Sequence, residues 1–252
     1  MDRRAFLAGL GALGLCPLCA NRAFAAEGAH WSYEGDTGPD KWGSLSPENA
    51  VCSAGSQQSP VNVVGATKAD LPALKMSWPK QGGTIVNNGH TIQVNMPAGG
   101  TLTAGRDGYE LVQYHFHAPS EHLVDGKRFP MEVHFVHKAL PGNGLGVLGV
   151  LMSEGQANAA FAKLMDAMPQ AAGTEVPAPA GADPNAFLPK SLAYWKYEGS
   201  LTTPPCSEVV DWMLLMQPIQ VAKADVAKFT GLYPMNARPA QTVNRRFILR
   251  SG

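Results

Sequence analysis

Two histidines one residue apart, His115 and His117 in Gln113-Tyr-His-Phe-His-Ala-Pro-Ser-Glu-His122, constrain this chain more than any other feature. In an extended strand successive side chains point to opposite faces, so the pair projects two imidazoles to one side and leaves Tyr114 and Phe116 on the other. A third, His134, follows in Met131-Glu-Val-His-Phe-Val-His137, far enough along for the chain to turn and lay a second strand beside the first. Three imidazoles on facing strands predict a zinc site with its fourth position open, which marks a catalytic ion rather than a structural one. The same parity places Gln113 beside His115 and His117, and Glu132 and Val136 beside His134, while Val133, Phe135 and His137 face away. A metal-bound imidazole needs an acceptor for its other ring N–H, and Gln113 and Glu132 suit that task.

With 252 residues, 45% of them hydrophobic, the chain is long enough for one substantial core and one large domain is expected. Twenty Lys and Arg balance 20 Asp and Glu, so no charge excess points to nucleic acid or an anionic membrane as partner. Alternating or apolar runs at Thr84 to Val86, Thr91 to Met96, Glu110 to His117, Glu132 to Lys138, Gly146 to Met152 and Val209 to Met216 are separated by Gly, Pro or Asn clusters. They read as a strand-rich sheet. One helix is expected at Asn158 to Met168, where Phe161, Leu164, Met165 and Met168 recur at helical spacing, and Pro169 to Pro189 reads as a loop.

Residues 1–25 read as a cleaved export signal: Arg3 and Arg4 precede an apolar run, and Ala23-Phe-Ala25 offers small residues for cleavage. Arg3-Arg-Ala-Phe-Leu7 is similar to a twin-arginine signal, and the apolar run falls short of the roughly 20 residues a membrane anchor needs. Cleavage removes Arg3, Arg4, Arg22 and Asp2, leaving 17 basic and 19 acidic residues in the domain spanning 26–252. Cys16 and Cys19 leave with the signal. The remaining pair, Cys52 and Cys206, reads as a disulfide in an oxidising compartment, the alternative being two separate buried thiols.

Ordered blocks along the chain, His30-Trp-Ser-Tyr33, Gln57-Gln-Ser-Pro-Val-Asn62, Asn87-Asn-Gly-His90, Gln113-Tyr-His-Phe-His117, Ser120-Glu-His122, Glu132-Val-His134, Ser200-Leu-Thr-Thr-Pro-Pro205 and Asn236-Ala-Arg-Pro-Ala-Gln241, together resemble the alpha class of carbonic anhydrases. The resemblance implies a mainly β fold with small peripheral helices (α+β): a single large twisted, mostly antiparallel sheet of about ten strands. It implies reversible hydration of carbon dioxide to bicarbonate and a proton by zinc-bound hydroxide, with His115, His117 and His134 holding Zn(2+). Thr202 and Glu121 would gate the hydroxide. Val136, Val147, Leu201, Thr203 and Trp212 would bind the substrate, and His90 would carry the proton out through waters ordered by Tyr33, Asn88 and Gln93. It also implies the Cys52 to Cys206 pairing of exported members, a periplasmic or secreted location and an esterase side activity. His30, His122 and His137 are expected to be structural, and no feature selects between monomer and homodimer.

Two other readings differ in class. His115-x-His117-x-x-x-Glu121 satisfies half of a cupin metal motif, but no histidine follows His137 to supply the other half. A noncatalytic zinc-binding relative of the carbonic anhydrases is the second, against which stand all three histidines with Thr202 and Glu121.

Overall fold

The computed structural model describes residues 30–252, so the proposed export signal and Cys16 and Cys19 lie outside the described residues. In chain order the strands are β1 (Asn62–Val63), β2 (Thr67–Lys68), β3 (Leu74–Ser77), β4 (Thr84–Asn87), β5 (Ile92–Asn95), β6 (Thr101–Ala104), β7 (Asp107–His117), β8 (Leu123–Val124), β9 (Met131–Leu140), β10 (Leu145–Glu154), β11 (Glu175–Pro177), β12 (Tyr194–Gly199), β13 (Val210–Val221) and β14 (Leu249–Arg250). Four short helices accompany them: α1 (Trp42–Leu45), α2 (Val51–Ala54), α3 (Ala159–Ala167) and α4 (Lys223–Leu232). β1 and β8 form a separate two-stranded pair, and the other strands form one 12-stranded sheet.

Ten of those strands run edge to edge in the order β11-β4-β5-β7-β9-β10-β13-β12-β14-β2, with β3 and β6 attached to β7. The expected architecture is present, with two more strands than anticipated. Most pairs are antiparallel, but β10 lies parallel to β13 and β14 parallel to β2. Parallel neighbours need a crossover, and the segment holding α3, β11 and β12 supplies it for the central pair. Every expected strand is found within a few residues. Asn158 caps α3 by accepting from the amides of Ala160 and Phe161, a contribution of about 1 kcal/mol. The stretch Pro169 to Pro189 is more structured than a loop: it contributes edge strand β11, and its Phe187 is fully buried.

The sheet has two differently used faces. On one, Tyr114 and Phe116 of β7 and Phe135 of β9 pack with Phe161 of α3, Phe187 and Phe229 of α4. Each such ring, fully buried, contributes about 1.5–3 kcal/mol. The opposite face carries His115, His117 and His134 beside a smaller cluster that includes Val147, Trp212 and Leu214. Cys52 of α2 and Cys206 form a disulfide across 154 residues of sequence, a loop closure worth about 5 kcal/mol on the chain-entropy account.

His137 lies on the apolar face, as its parity requires. It is fully buried beside Trp78, its Nδ1 pairs with the Gly146 carbonyl at 3.2 Å, and its Nε2 has no partner. Protonation would leave a second N–H unsatisfied in the core, and burial pushes its pKa down to about 4. Since the folded pKa lies below the unfolded value of about 6.5, the unfolded state binds the proton more tightly. The neutral ring's contribution is therefore intact above pH 6.5 and lost as pH falls toward 4. Urea unfolding at pH 7 and pH 4.5 is expected to show that this one site removes about 2.5 kcal/mol between them. In His137→Leu that component of the difference should vanish; an unchanged pH difference would refute the assignment.

Candidate metal centre

Backbone pairing brings the three histidines together. β7 and β9 run antiparallel with His115 directly opposite His134, Gln113 opposite Val136 and His117 opposite Glu132. Ring centroids lie 5.0 Å apart for His115 and His117, 5.4 Å for His115 and His134, and 4.6 Å for His117 and His134. One ring nitrogen from each falls within 4.8 Å of the other two.

Each imidazole has its other nitrogen committed. His115 Nδ1 is 2.9 Å from Gln113 Oε1, His134 Nε2 is 2.8 Å from Glu132 Oε1, and His117 Nδ1 is 2.7 Å from the backbone carbonyl of Asn236. An acceptor opposite each of these nitrogens fixes it as the protonated one. The free nitrogens are then Nε2 of His115, Nε2 of His117 and Nδ1 of His134. His117 Nε2 is buried without any partner, a costly arrangement for a polar atom unless something occupies the space it faces. The donor set fits a divalent ion that accepts neutral nitrogen ligands.

The electrostatics divide the trio. Burial, with the neighbouring rings, drives the His115 pKa well below its ordinary value, and burial lowers His117 despite the nearby Glu121 carboxylate. Burial opposes the charged form of His134 as well, but the charge and hydrogen bond of Glu132, helped by Glu121, outweigh it and raise the pKa. Glu132 is itself held well below the usual carboxylate range: burial opposes its ionisation, and His122 and His134 overcome it. Glu132 Oε1 also meets His122 Nδ1 at 2.7 Å, its Oε2 accepts from the His122 amide, and His122 Nε2 lies 2.6 Å from the Tyr197 hydroxyl. His122, Glu132 and His134 therefore form a hydrogen-bonded relay rather than a second metal cage.

Gly149, opposite His134 on β10, makes room for this relay: a Cβ there would sit 2.9 Å from Leu214 and 3.0 Å from Glu132 Oε1. Next to it Val136, Val147 and Trp212 are successive partners across β9, β10 and β13, so they form one apolar row on the face of the histidines. Leu201 packs on the same cluster.

Glu121 is fully buried; its Oε1 accepts from the Arg238 amide at 2.8 Å, while its Oε2 has no hydrogen bond and lies 3.6 Å from His117 Nε2. Thr202 is buried in the Leu201 to Ser207 loop, which is closed by Leu201 N to Ser207 O and Cys206 N to Thr203 O, and it makes no hydrogen bond to Glu121. Thr203, next in that loop, is partly buried. His90 is half-exposed and stacks on Trp31 at 3.7 Å, and Tyr33 packs edge-on against the same indole. Burial and then His30 lower the His90 pKa. The Asn88 side-chain oxygen accepts from the amides of His90 and Thr91, and Gln93 donates to Asn95, so both are engaged in holding local backbone and strand.

Sequence reasoning missed Asn236, whose carbonyl serves His117 and whose side-chain amide donates to the carbonyls of His90 and Phe116. A backbone acceptor has no residue-type signature. The relay beyond Glu132 was also missed, although His122 is structural in the sense expected.

A family model, eukaryotic-type carbonic anhydrase, matches residues 37–252. The protein called Carbonic anhydrase from Neisseria gonorrhoeae is 42% identical over 235 residues, spanning 92% of each chain. One of the same name from Pectobacterium carotovorum is 40% identical over 232 residues, covering 90% of this chain and 93% of its own. Among solved structures, the alpha-carbonic anhydrase of Thermovibrio ammonificans, in complex with the inhibitor sulfanilamide, superposes with a TM-score of 0.85 at 40% identity, covering 88% of this chain and 99% of that one.

Of the three candidate ligands His134 alone has a raised pKa, and Glu132 holds it, so loss of that carboxylate should be felt in metal affinity. Glu132→Gln is expected to weaken zinc binding roughly 10–100-fold, measured by competition with a chromophoric chelator. Wild-type affinity in that variant would show that the carboxylate does not orient His134.

Proposed function

The chain belongs to the alpha-carbonic anhydrase family, and from that premise we propose that it catalyses the reversible hydration of carbon dioxide to bicarbonate and a proton, with zinc held by His115, His117 and His134. The observation that carries the reading is the convergence of three imidazoles whose remaining nitrogens are each held by an acceptor. Bound there, the ion would supply the Lewis acidity that makes water a competent nucleophile near neutral pH. Three neutral ligands leave its charge undiminished.

The surrounding residues divide the remaining work. Glu121 Oε2, the unbonded acceptor in the site, is free to take the Thr202 hydroxyl proton in a hydrogen bond. A threonine that donates to Glu121 has only lone pairs left to offer, so it favours an incoming group that carries a proton over an anion that carries none. Carbon dioxide is apolar, and the row of Val136, Val147 and Trp212, extended by Leu201, gives it a wall where no water need be displaced from a polar group. Thr203, in the same loop as Thr202, would complete the substrate pocket. His90, partly buried against the Trp31 ring, would accept the released proton and pass it to buffer, with Tyr33, Asn88 and Gln93 ordering the connecting waters. Attack on the carbonyl carbon of small esters by the same nucleophile is the side activity that follows.

The catalytic domain is read as 26–252, released from the 1–25 export signal. The Cys52 to Cys206 disulfide supports a periplasmic or secreted location, since such bonds persist in oxidising compartments. Among the described residues no helix is long and apolar enough to cross a membrane.

Stopped-flow carbon dioxide hydration is expected to be abolished by a chelator and restored by zinc; an inactive zinc-replete protein would favour a noncatalytic binder. His90→Ala is expected to slow turnover at least tenfold in dilute buffer, with recovery on adding imidazole. Undiminished turnover in weak buffer would remove His90 from the proton path.

A further inference from the structure

A cavity lies between β12 and the chain segment leading into β14. Its volume is about 880 Å³, within the range of small-molecule sites, and none of the three candidate metal ligands lines it. Leu71, Tyr197, Phe247 and Leu249 supply an apolar lining. Phe247 is 76% exposed, the most exposed of the large hydrophobic side chains, so its ring stands in water as one wall of the cavity. An unburied phenyl is apolar surface that a ligand lying against it would take out of water.

The polar part of the lining is cationic. Lys196, Arg245 and Arg246 all border the cavity, against the single carboxylate of Glu198. The Arg246 guanidinium sits over the Tyr197 ring at 5.6 Å and donates only to backbone carbonyls, those of Val243, Glu198, Gln58 and Thr242. Lys196 reaches Asp107 at a loose 3.9 Å, and among the described residues neither arginine has a carboxylate within 4.0 Å. Three cations against one lining carboxylate, beside a greasy cavity far too large for bicarbonate, define the complementary ligand.

The geometry points to a binding site for an amphipathic organic anion, a carboxylate carrying an aliphatic or aryl body of about ten carbons. The carboxylate pairs with Arg245 and with the one Arg246 N–H that no backbone carbonyl takes, and the body lies along Phe247, Leu71 and Leu249. This inference does not depend on the carbon dioxide reading: of the residues it uses only Tyr197, the far end of the His122 relay, touches that site.

Decanoate and acetate titrated calorimetrically into the zinc-loaded protein test it. Decanoate should bind at one site, and acetate, having the charge without the body, at least tenfold more weakly. Arg245→Glu and Phe247→Ser alter exposed side chains outside the metal centre, and each should weaken decanoate at least tenfold while leaving carbon dioxide hydration at the wild-type rate. Decanoate binding unchanged in both variants would place the ligand elsewhere, including the metal cavity, and overturn the proposal; so would acetate binding as tightly. If decanoate does not bind and Phe247→Ser instead dissociates a dimer in light scattering, the groove is a contact between copies and the proposal fails.

Discussion

A single extra residue in β7 decides which way the histidines point. Up to Leu111 the odd-numbered side chains, Tyr109 and Leu111, pack into the large aromatic core, paired with Ala139 and His137 of β9. The register then slips between Leu111 and Gln113, leaving Val112 unpaired and 46% exposed. Beyond the slip the even-numbered Tyr114 and Phe116 enter that core, and odd-numbered Gln113, His115 and His117 turn to the other face. Strand alternation has a period of two, so without this bulge the ladder would send the imidazoles into the aromatic layer and the rings of Tyr114 and Phe116 into the cavity. β9 has no such slip: Val133, Phe135 and His137 face the core throughout, and Glu132 and His134 face the site.

Once the faces are set, the chemistry depends on what holds each ring. Two of the acceptors, an amide oxygen and a backbone carbonyl, are neutral, and burial dominates at His115 and His117, keeping them unprotonated and available as ligands. The third is a carboxylate shared between His134 and His122, which pulls His134 the other way. A glutamate with no exposed surface can stay ionised only because both oxygens are used, one of them twice, and because Gly149 on the neighbouring strand leaves space for it. The relay ends at the Tyr197 hydroxyl, 2.6 Å from His122 Nε2 and 3.1 Å from Ser59 Oγ. An alanine methyl at position 149 would thus be transmitted to His134 through one hydrogen bond, and a lost hydroxyl at 197 through three.

Legibility in the sequence followed the same division. The strand-borne part was readable because alternation is a local rule: parity alone put Gln113, Glu132 and Val136 beside the histidines and His137 on the far side, and the register agrees. The exchange from Tyr109 and Leu111 to Tyr114 and Phe116 even carries the bulge in its apolar pattern. Short strands such as β12 and β14 escaped because Tyr194 to Gly199 alternates weakly and two-residue strands have no period to detect. Asn236 escaped for another reason. Its carbonyl reaches His117 across 119 residues of sequence, and nothing about an asparagine announces the direction of its backbone oxygen.

The loop-borne part of the site lacks a ladder to hold it, and a buried cation takes that role. Arg238 is 1% exposed; its guanidinium donates to Gln58 Oε1, to the Ser59 carbonyl and to the Cys52 carbonyl, and lies over Trp42 at 5.5 Å. Burial lowers its pKa to about 10, which still leaves it charged at neutral pH. Its backbone amide meanwhile fixes Glu121 Oε1, leaving Oε2 as the acceptor facing the imidazoles. Cys52, tied to Arg238 on one side, is bonded to Cys206 on the other, and Cys206 closes the turn that begins at Thr203. Glu121 and the Thr202 loop, 81 residues apart in sequence, are thereby fastened to one helix. Each of these contacts spans more than 100 residues, so each forms only after most of the chain is ordered, and the covalent link limits the unfolded chain's freedom to lose them. The disulfide therefore bears on the loop half of the site, whereas the strand half rests on the ladder and its bulge.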